Sequence, residues 1–560
     1  LPISPSLIFT NLNVVAGAEI YGYILMDDMD NQVVINDGVV INGDTAEYDY
    51  AAIMTDGGSD IVTIGAATIN GRLLTDDGND TVMLNGSTIN TAINQGIPAV
   101  ELGDGNDTIA LNGATVNGSV AFGSGNDLLT STGTSRVNNI IFGGNDNVID
   151  VLGGTLTTVG IDFNDVAANN TIAVENGATF NVESVLELAS IGTNTVMVDG
   201  GELGVAGAAI LEGDANQVTL ANGGHIAGLQ LLAMEGTTNT LELADDATAQ
   251  TADVIVMDGV DNRVANAGAL TVADTLFMGA DNQNRIDNTG IFNANSVLMA
   301  EISDETMTLP AADNTIVNGG TFNVTDTLEM AGETTLIDNR GAFSVDTLVA
   351  NGGSAVGNAG YQIDGGAQAL ILNSADATLT AASSINLYSA HNALENNGTV
   401  IAGGASLLMA GDEQLLTGIE FTNNAAVTNS IFNTELGTLE TGDVTMYGGS
   451  NWIINWGTME TDDLFMAGNI EIDLINNVTT YGTAVQNLID LSMVDQPIVA
   501  SLQTEDVRMV GESNTILAMA DFDPAIAVKV ADAEEGEMVR IGAVGQSATA
   551  DEMEMAGLYN

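Results

Sequence analysis

Five Gly-rich turns in the first quarter of the chain carry the residues best suited to chemistry. They are Thr55-Asp-Gly-Gly-Ser-Asp-Ile-Val, Thr75-Asp-Asp-Gly-Asn-Asp-Thr-Val, Leu102-Gly-Asp-Gly-Asn-Asp-Thr-Ile, Phe122-Gly-Ser-Gly-Asn-Asp-Leu-Leu and Phe142-Gly-Gly-Asn-Asp-Asn-Val-Ile. A hard cation such as Ca²⁺ takes about six to eight oxygens, and such a turn can present backbone carbonyls while its last Asp adds a carboxylate. The candidate carboxylates Asp60, Asp80, Asp107, Asp127 and Asp146 stand 20, 27, 20 and 19 residues apart, which puts one on each successive turn at one edge, with Asp104 beside them. That register suits ions held between turns. The rival reading is a plain Asn-Gly or Asp-Gly corner that needs no ion.

These turns resemble the repeats-in-toxin calcium motif, Gly-Gly-x-Gly-x-Asp-x-apolar-x, and Gly103-Asp104-Gly105-Asn106-Asp107-Thr108-Ile109 matches it best. The resemblance implies Ca²⁺ as the cofactor, a parallel β-solenoid as the fold and the six named Asp residues as metal ligands. It covers about residues 55 to 150. Two departures stand out. The unit occurs once per period instead of in tandem, and the segment after Phe142 reads as one spacer residue short.

The elements that would position these turns follow from a repeat. An Asn followed closely by Val, Ile or Leu recurs at Asn106, Asn126, Asn147, Asn170, Asn194, Asn216, Asn239, Asn262 and Asn284. Each period holds short alternating apolar runs bounded by Asn, Asp and Gly, which is the strand signature. Three short strands and their corners need about 20–24 residues, one coil of a β-solenoid. The expected fold class is therefore all-β, a parallel β-solenoid (β-helix) forming a single elongated rod. Inward Val, Ile and Leu should stack into apolar columns, and the recurrent Asn should form an amide ladder as architecture.

A second column ends short strands in Met: Met257, Met278, Met299, Met330, Met409, Met446 and Met466. Methionine adapts to irregular gaps, so this column reads as core filling at one corner. A soft-metal role would need His or Cys beside it. His225 and His391 are far apart and Cys is absent, so the two His read as surface or corner residues.

Charge narrows the partners. The chain has 75 Asp and Glu against 8 Lys and Arg, a formal net charge of −67. Phosphate binding requires clustered Lys and Arg, so nucleic acid is excluded as a partner and divalent cations are favoured. Nothing reaches about 18 consecutive apolar residues, so no membrane span is expected, and the start at Leu1 instead of Met reads as a mature, exported chain. Polysaccharide-cleaving β-helices need a cleft with paired carboxylates or a basic residue beside a metal. Adjacent acids such as Asp27-Asp28, Asp76-Asp77 and Asp462-Asp463 are commonplace in so acidic a chain, and with few basic and aromatic residues no enzyme is expected.

The expected organisation is an N-terminal cap or subunit-contact segment (1–30), coils with calcium-type turns (31–150), continuing solenoid (151–510, irregular near 365–430) and C-terminal coils with a cap or subunit-contact segment (511–560). The expected function is a non-enzymatic extracellular structural protein, at the cell surface or secreted, that self-assembles into a surface layer, sheath or filament. It resembles bacterial surface-layer proteins in composition: acidic, Lys-poor and cysteine-free. Its partners would be itself as a homo-polymer, divalent cations and, as a further candidate, surface polysaccharide. The alternative is a β-helical adhesin.

Overall fold

The computed structural model describes residues 11–549 apart from 27–28, 44–50, 92–96, 164–168, 190, 280–282, 300–312, 353, 356–360, 363–367, 405, 412–426, 474–477, 483, 485, 491–500, 504–505, 510–513, 518–537 and 541–547. The apolar segment 1–10 and the acidic run 532–537 lie outside the described residues. The chain is all-β, with parallel sheets forming a β-solenoid and no helix among the described residues. No helix there is long and apolar enough to cross a membrane. It divides into two compact units, Leu1–Gly259 with Asn266–Ala273, and Val260–Ala265 with Asp274–Asn560.

In the first unit each coil contributes one strand to a first sheet and one long or two short strands to a second. The first sheet includes Gln32–Ile35, Ile61–Ile64, Thr81–Asn85, Thr108–Asn112 and Leu128–Thr132, all paired parallel with the coil above. The second runs through pairs such as Thr88–Asn90 with Thr115–Ala121 and Ala208–Glu212 with His225–Glu235. Alternation decides which side chains enter the core. In Thr108–Asn112 only Ile109 and Leu111 are buried, and each stacks on the residue in register with it, Val82 and Leu84 below. Burying a side chain of that size is worth about 1.5–3 kcal/mol, repeated at every coil. At one corner Phe122, Phe142 and Phe163 stack with centroids 4.4 and 4.9 Å apart, the spacing that successive parallel strands impose.

The second unit keeps the inward positions seen in Thr193–Asp199 and Thr238–Leu243 but changes the residue at one of them. Strands Asp313–Asn318, Thr334–Asn339, Gln368–Asn373, His391–Asn396, Thr428–Asn433 and Ser450–Asn455 bury their second, fourth and sixth residues. The fourth is aliphatic in all six, and the sixth is always Asn. The sixth residues donate Nδ2 to the Oδ1 of the next coil from Asn288 through Asn318, Asn339, Asn373, Asn396 and Asn433 to Asn455, at 2.7–2.9 Å. The expected corner ladder is also present, from Asn194 through Asn216 to Asn239 and from Asn262 through Asn284 to Asn314, so two ladders run side by side in the second unit.

The Met column is buried as expected. Met257, Met278, Met299, Met330, Met409, Met446 and Met466 are each fully enclosed, and Met409, Met446 and Met466 stand in register on successive coils. His391 is exposed and His225 half-buried, and each pairs through Nδ1 with a Thr hydroxyl of the next coil. Near 365–430 the described strands keep strict register, Gln368–Asn373 with His391–Asn396 and these with Thr428–Asn433. In sequence the added length falls between Ala410 and Val427, between Met299 and Asp313 and between Gly352 and Gln368, each time between the end of a second-sheet strand and the next first-sheet strand. Irregular spacing in sequence is thus compatible with a regular stack.

Candidate cation column of the first unit

The inward position at the start of each first-sheet strand forms one column through the first unit. Pairing register places Asn31, Asp60, Asp80, Asp107, Asp127, Asn147, Asn170, Asn194, Asn216 and Asn239 one above another. The acidic and amide residues, read from sequence as neighbours, therefore occupy the same place. In the Asp coils each carboxylate accepts through Oδ1 from the backbone N–H of the coil below: Asn31 to Asp60 at 2.7 Å, Asp60 to Asp80 at 2.8 Å, Asp80 to Asp107 at 2.8 Å and Asp107 to Asp127 at 2.9 Å. Asn147 Oδ1 accepts from Asp127 N in the same way at 3.0 Å.

The second oxygen is what sets the Asp coils apart. Oδ2 of Asp60, Asp80, Asp107 and Asp127 is buried with no hydrogen-bond partner, and each residue is 1% exposed. At the equivalent place Asn147 carries Nδ2, which donates to the Gly143 carbonyl at 2.9 Å. Asn170 Nδ2, on the next coil, has no partner among the described residues, whereas Asn194 Nδ2 above it donates to the Leu188 and Glu212 carbonyls at 3.0 and 2.8 Å. An amide nitrogen suits a corner lined with carbonyls, whereas a carboxylate oxygen there meets other oxygens. It requires either a proton or a cation between them.

The electrostatics agree. Burial pushes the Asp80 and Asp127 carboxyls up to about 6 and that of Asp107 up to about 7. Backbone N–H donors oppose the rise in all three, and the Thr75 hydroxyl does so at Asp80. The charges of Asp80, Asp127 and Asp104 add to it at Asp107. Asp60 is raised by burial as well.

Two of the six predicted ligands fall elsewhere. Asp104 is at the exposed rim, where its Oδ1 accepts from Ser124 N at 2.9 Å, and that donor holds the carboxyl below its usual range. Asp146 stands beside the column, outside it. It is exposed at a φ of 53°, and its carboxylate accepts from Asn169 Nδ2 at 2.9 Å and Asn126 Nδ2 at 3.4 Å. The turn after Phe142 is not short: Val148 pairs with Leu128, so Asn147 takes the carboxylate position. The physical reason is parity, since a slip by one residue would turn Ile149 and Val151 out of the core. Likewise Asn106 and Asn126 belong to an outer column, Asn106 N donating to Asn79 Oδ1 and Asn126 N to Asn106 Oδ1, both at 2.8 Å.

The glycines close the corner. A Cβ on Gly78 would fall on the Gly58 carbonyl oxygen, one on Gly105 on that of Gly78, and one on Gly125 on that of Gly105. Gly105→Ala is expected to cost about 3 kcal/mol or more, because φ is +155° there and the obstruction is backbone. Gly177→Ala, at φ +77° with open space around the added carbon, should cost only about 1 kcal/mol. Thermal unfolding of the two variants makes the comparison.

Comparison with protein-family models, with curated proteins and with solved structures finds no match. The column must therefore be judged on its own donors. The residues present fit a hard cation through their orphaned carboxylate oxygens and the carbonyls of the Gly-rich turns. Among the described residues no three His, Cys, Asp or Glu side chains converge on one point, so turn carbonyls would have to complete any ligand set.

Elsewhere the chemistry is sparse. Arg72, Arg136, Arg263, Arg285 and Arg340 each pair with a carboxylate, which leaves no cluster of free guanidinium groups among them. A shallow cavity of about 250 Å³ on the second sheet is lined by Asn139, Val159, Gly160, Ser184 and Asp162, and of its lining side chains Asp162 alone is ionisable.

Proposed function

We propose that this chain is a non-enzymatic extracellular structural protein that self-assembles into a surface layer, sheath or filament, with calcium held between coils of the first unit. The observation that carries the reading is the run of four buried carboxylates, each with an oxygen that has no donor. Asp60, Asp80, Asp107 and Asp127 would hold the ions together with turn carbonyls, and bound calcium would neutralise charge that otherwise opposes stacking of these coils. The formal charge of −67 supports the assembly half of the reading. Copies so acidic repel one another until divalent ions screen or bridge them.

Negative-stain imaging of the purified protein with millimolar Ca²⁺, then with excess chelator, tests both halves. Ordered sheets or filaments that dissolve on chelation are expected. Separate particles under both conditions would remove the assembly reading. Equilibrium dialysis that finds no bound calcium at millimolar concentration would remove the ion.

A further inference from the structure

We propose that Asn147 is a built-in stop that ends the calcium column above Asp127, with Asn31 closing it below Asp60. This rests on the calcium reading and adds its limits. Asn147 occupies the same register position as the four Asp residues and makes the same bond through Oδ1, to Asp127 N. It differs in a single atom. Its Nδ2 donates to Gly143 O at 2.9 Å and toward Asn170 Oδ1 at 3.4 Å, so the space that a cation would share with a carboxylate already holds N–H donors.

A side-chain amide brings no negative charge, and its nitrogen cannot ligate a hard cation. From Asn147 to Asn239 the column is amide throughout, linked at 3.1 Å from Asn194 to Asn216 and at 2.9 Å from Asn216 to Asn239. Asn31, in register below Asp60, donates to the first carboxylate through its backbone N–H at 2.7 Å and through its side-chain amide, and brings no negative charge of its own. Ion capacity is thus set by how many consecutive coils carry Asp at one position, and a one-atom change at either end should lengthen or shorten it.

Calcium stoichiometry of the full chain, measured by equilibrium dialysis, tests this. Asn147→Asp should raise it by about one ion per chain, and Asp127→Asn should lower it by about one. Asp127→Asn introduces the residue that the next coil already carries, so it remains decisive if Asn147→Asp does not fold. Unchanged stoichiometry in the folded variants, with calcium bound by the wild type, overturns the stop. A wild type that binds no calcium overturns the parent reading, and the stop with it.

Discussion

Replacing Asp60, Asp80, Asp107 and Asp127 together by Asn should leave the first unit folded, remove its response to calcium and flatten its stability between about pH 5 and 8. The replacement gives the lower column the amide side chain that already stands at this position from Asn147 upward, with a donor on each coil where an orphaned oxygen stood. The wild type should behave oppositely in chelator. Its carboxyls are raised by burial to about 6 at Asp80 and Asp127 and about 7 at Asp107, from an ordinary value of 3.8. The folded state therefore binds more protons than the unfolded one between these limits. Stability from these groups is present in full below about pH 4 and is lost as pH rises through 6 to 7.

Holding one isolated carboxyl at about 6 instead of 3.8, as at Asp80 or Asp127, corresponds to about 3 kcal/mol, and neighbouring charges in the column make the groups titrate together. Calcium should reverse the loss at pH 8, by about 4 kcal/mol per independent site at a thousandfold excess over its dissociation constant. Thermal unfolding of the two proteins at pH 5 and 8, with calcium and with chelator, gives the four comparisons needed. A wild type whose midpoint does not fall with rising pH in chelator would mean that these carboxyls are not held as described.

Phe322→Ala should be the most damaging single truncation in the second unit, at about 3–5 kcal/mol. Phe322 is fully buried between Phe292 and Phe343, with ring centroids 4.4 and 4.7 Å away. A coil touches only its neighbours, so the cavity cannot be filled from elsewhere and both adjoining rings lose a packing face. Phe322→Leu should recover more than half of the loss by restoring volume without the ring. Hydrogen exchange should show the protection loss centred on Asp313–Asn318 and Thr321–Ala331, the strands of that coil. Loss spread evenly over the unit would contradict the nearest-neighbour picture.

The Asn ladders show how far local reading reaches. The ladder at the corner was legible because Asn recurs just before each apolar run. The second, from Asn288 to Asn455, lies at strand ends where Asn is ordinarily depleted, and it hides behind propensity. Strings such as Asp313-Asn-Thr-Ile-Val-Asn and Thr428-Asn-Ser-Ile-Phe-Asn contained the signal, since both Asn residues share the parity of the buried aliphatic. Burial of an amide in a core is favourable only because an identical amide waits in the next coil, and that is a property of the stack.

The sequence alone determined the repeating coil, the inward aliphatic and Met columns, the all-β parallel fold and the acidic turns as the place to look for chemistry. These follow from the alternation within each coil and from its recurrence along the chain. Tertiary register decided the rest: that Asp60, Asp80, Asp107 and Asp127 share one buried column with Asn147 and its successors, and that Asp104 and Asp146 stand outside it. Spacing along the chain cannot separate two adjacent residues in a turn, whereas in a strand that single step is the difference between core and solvent.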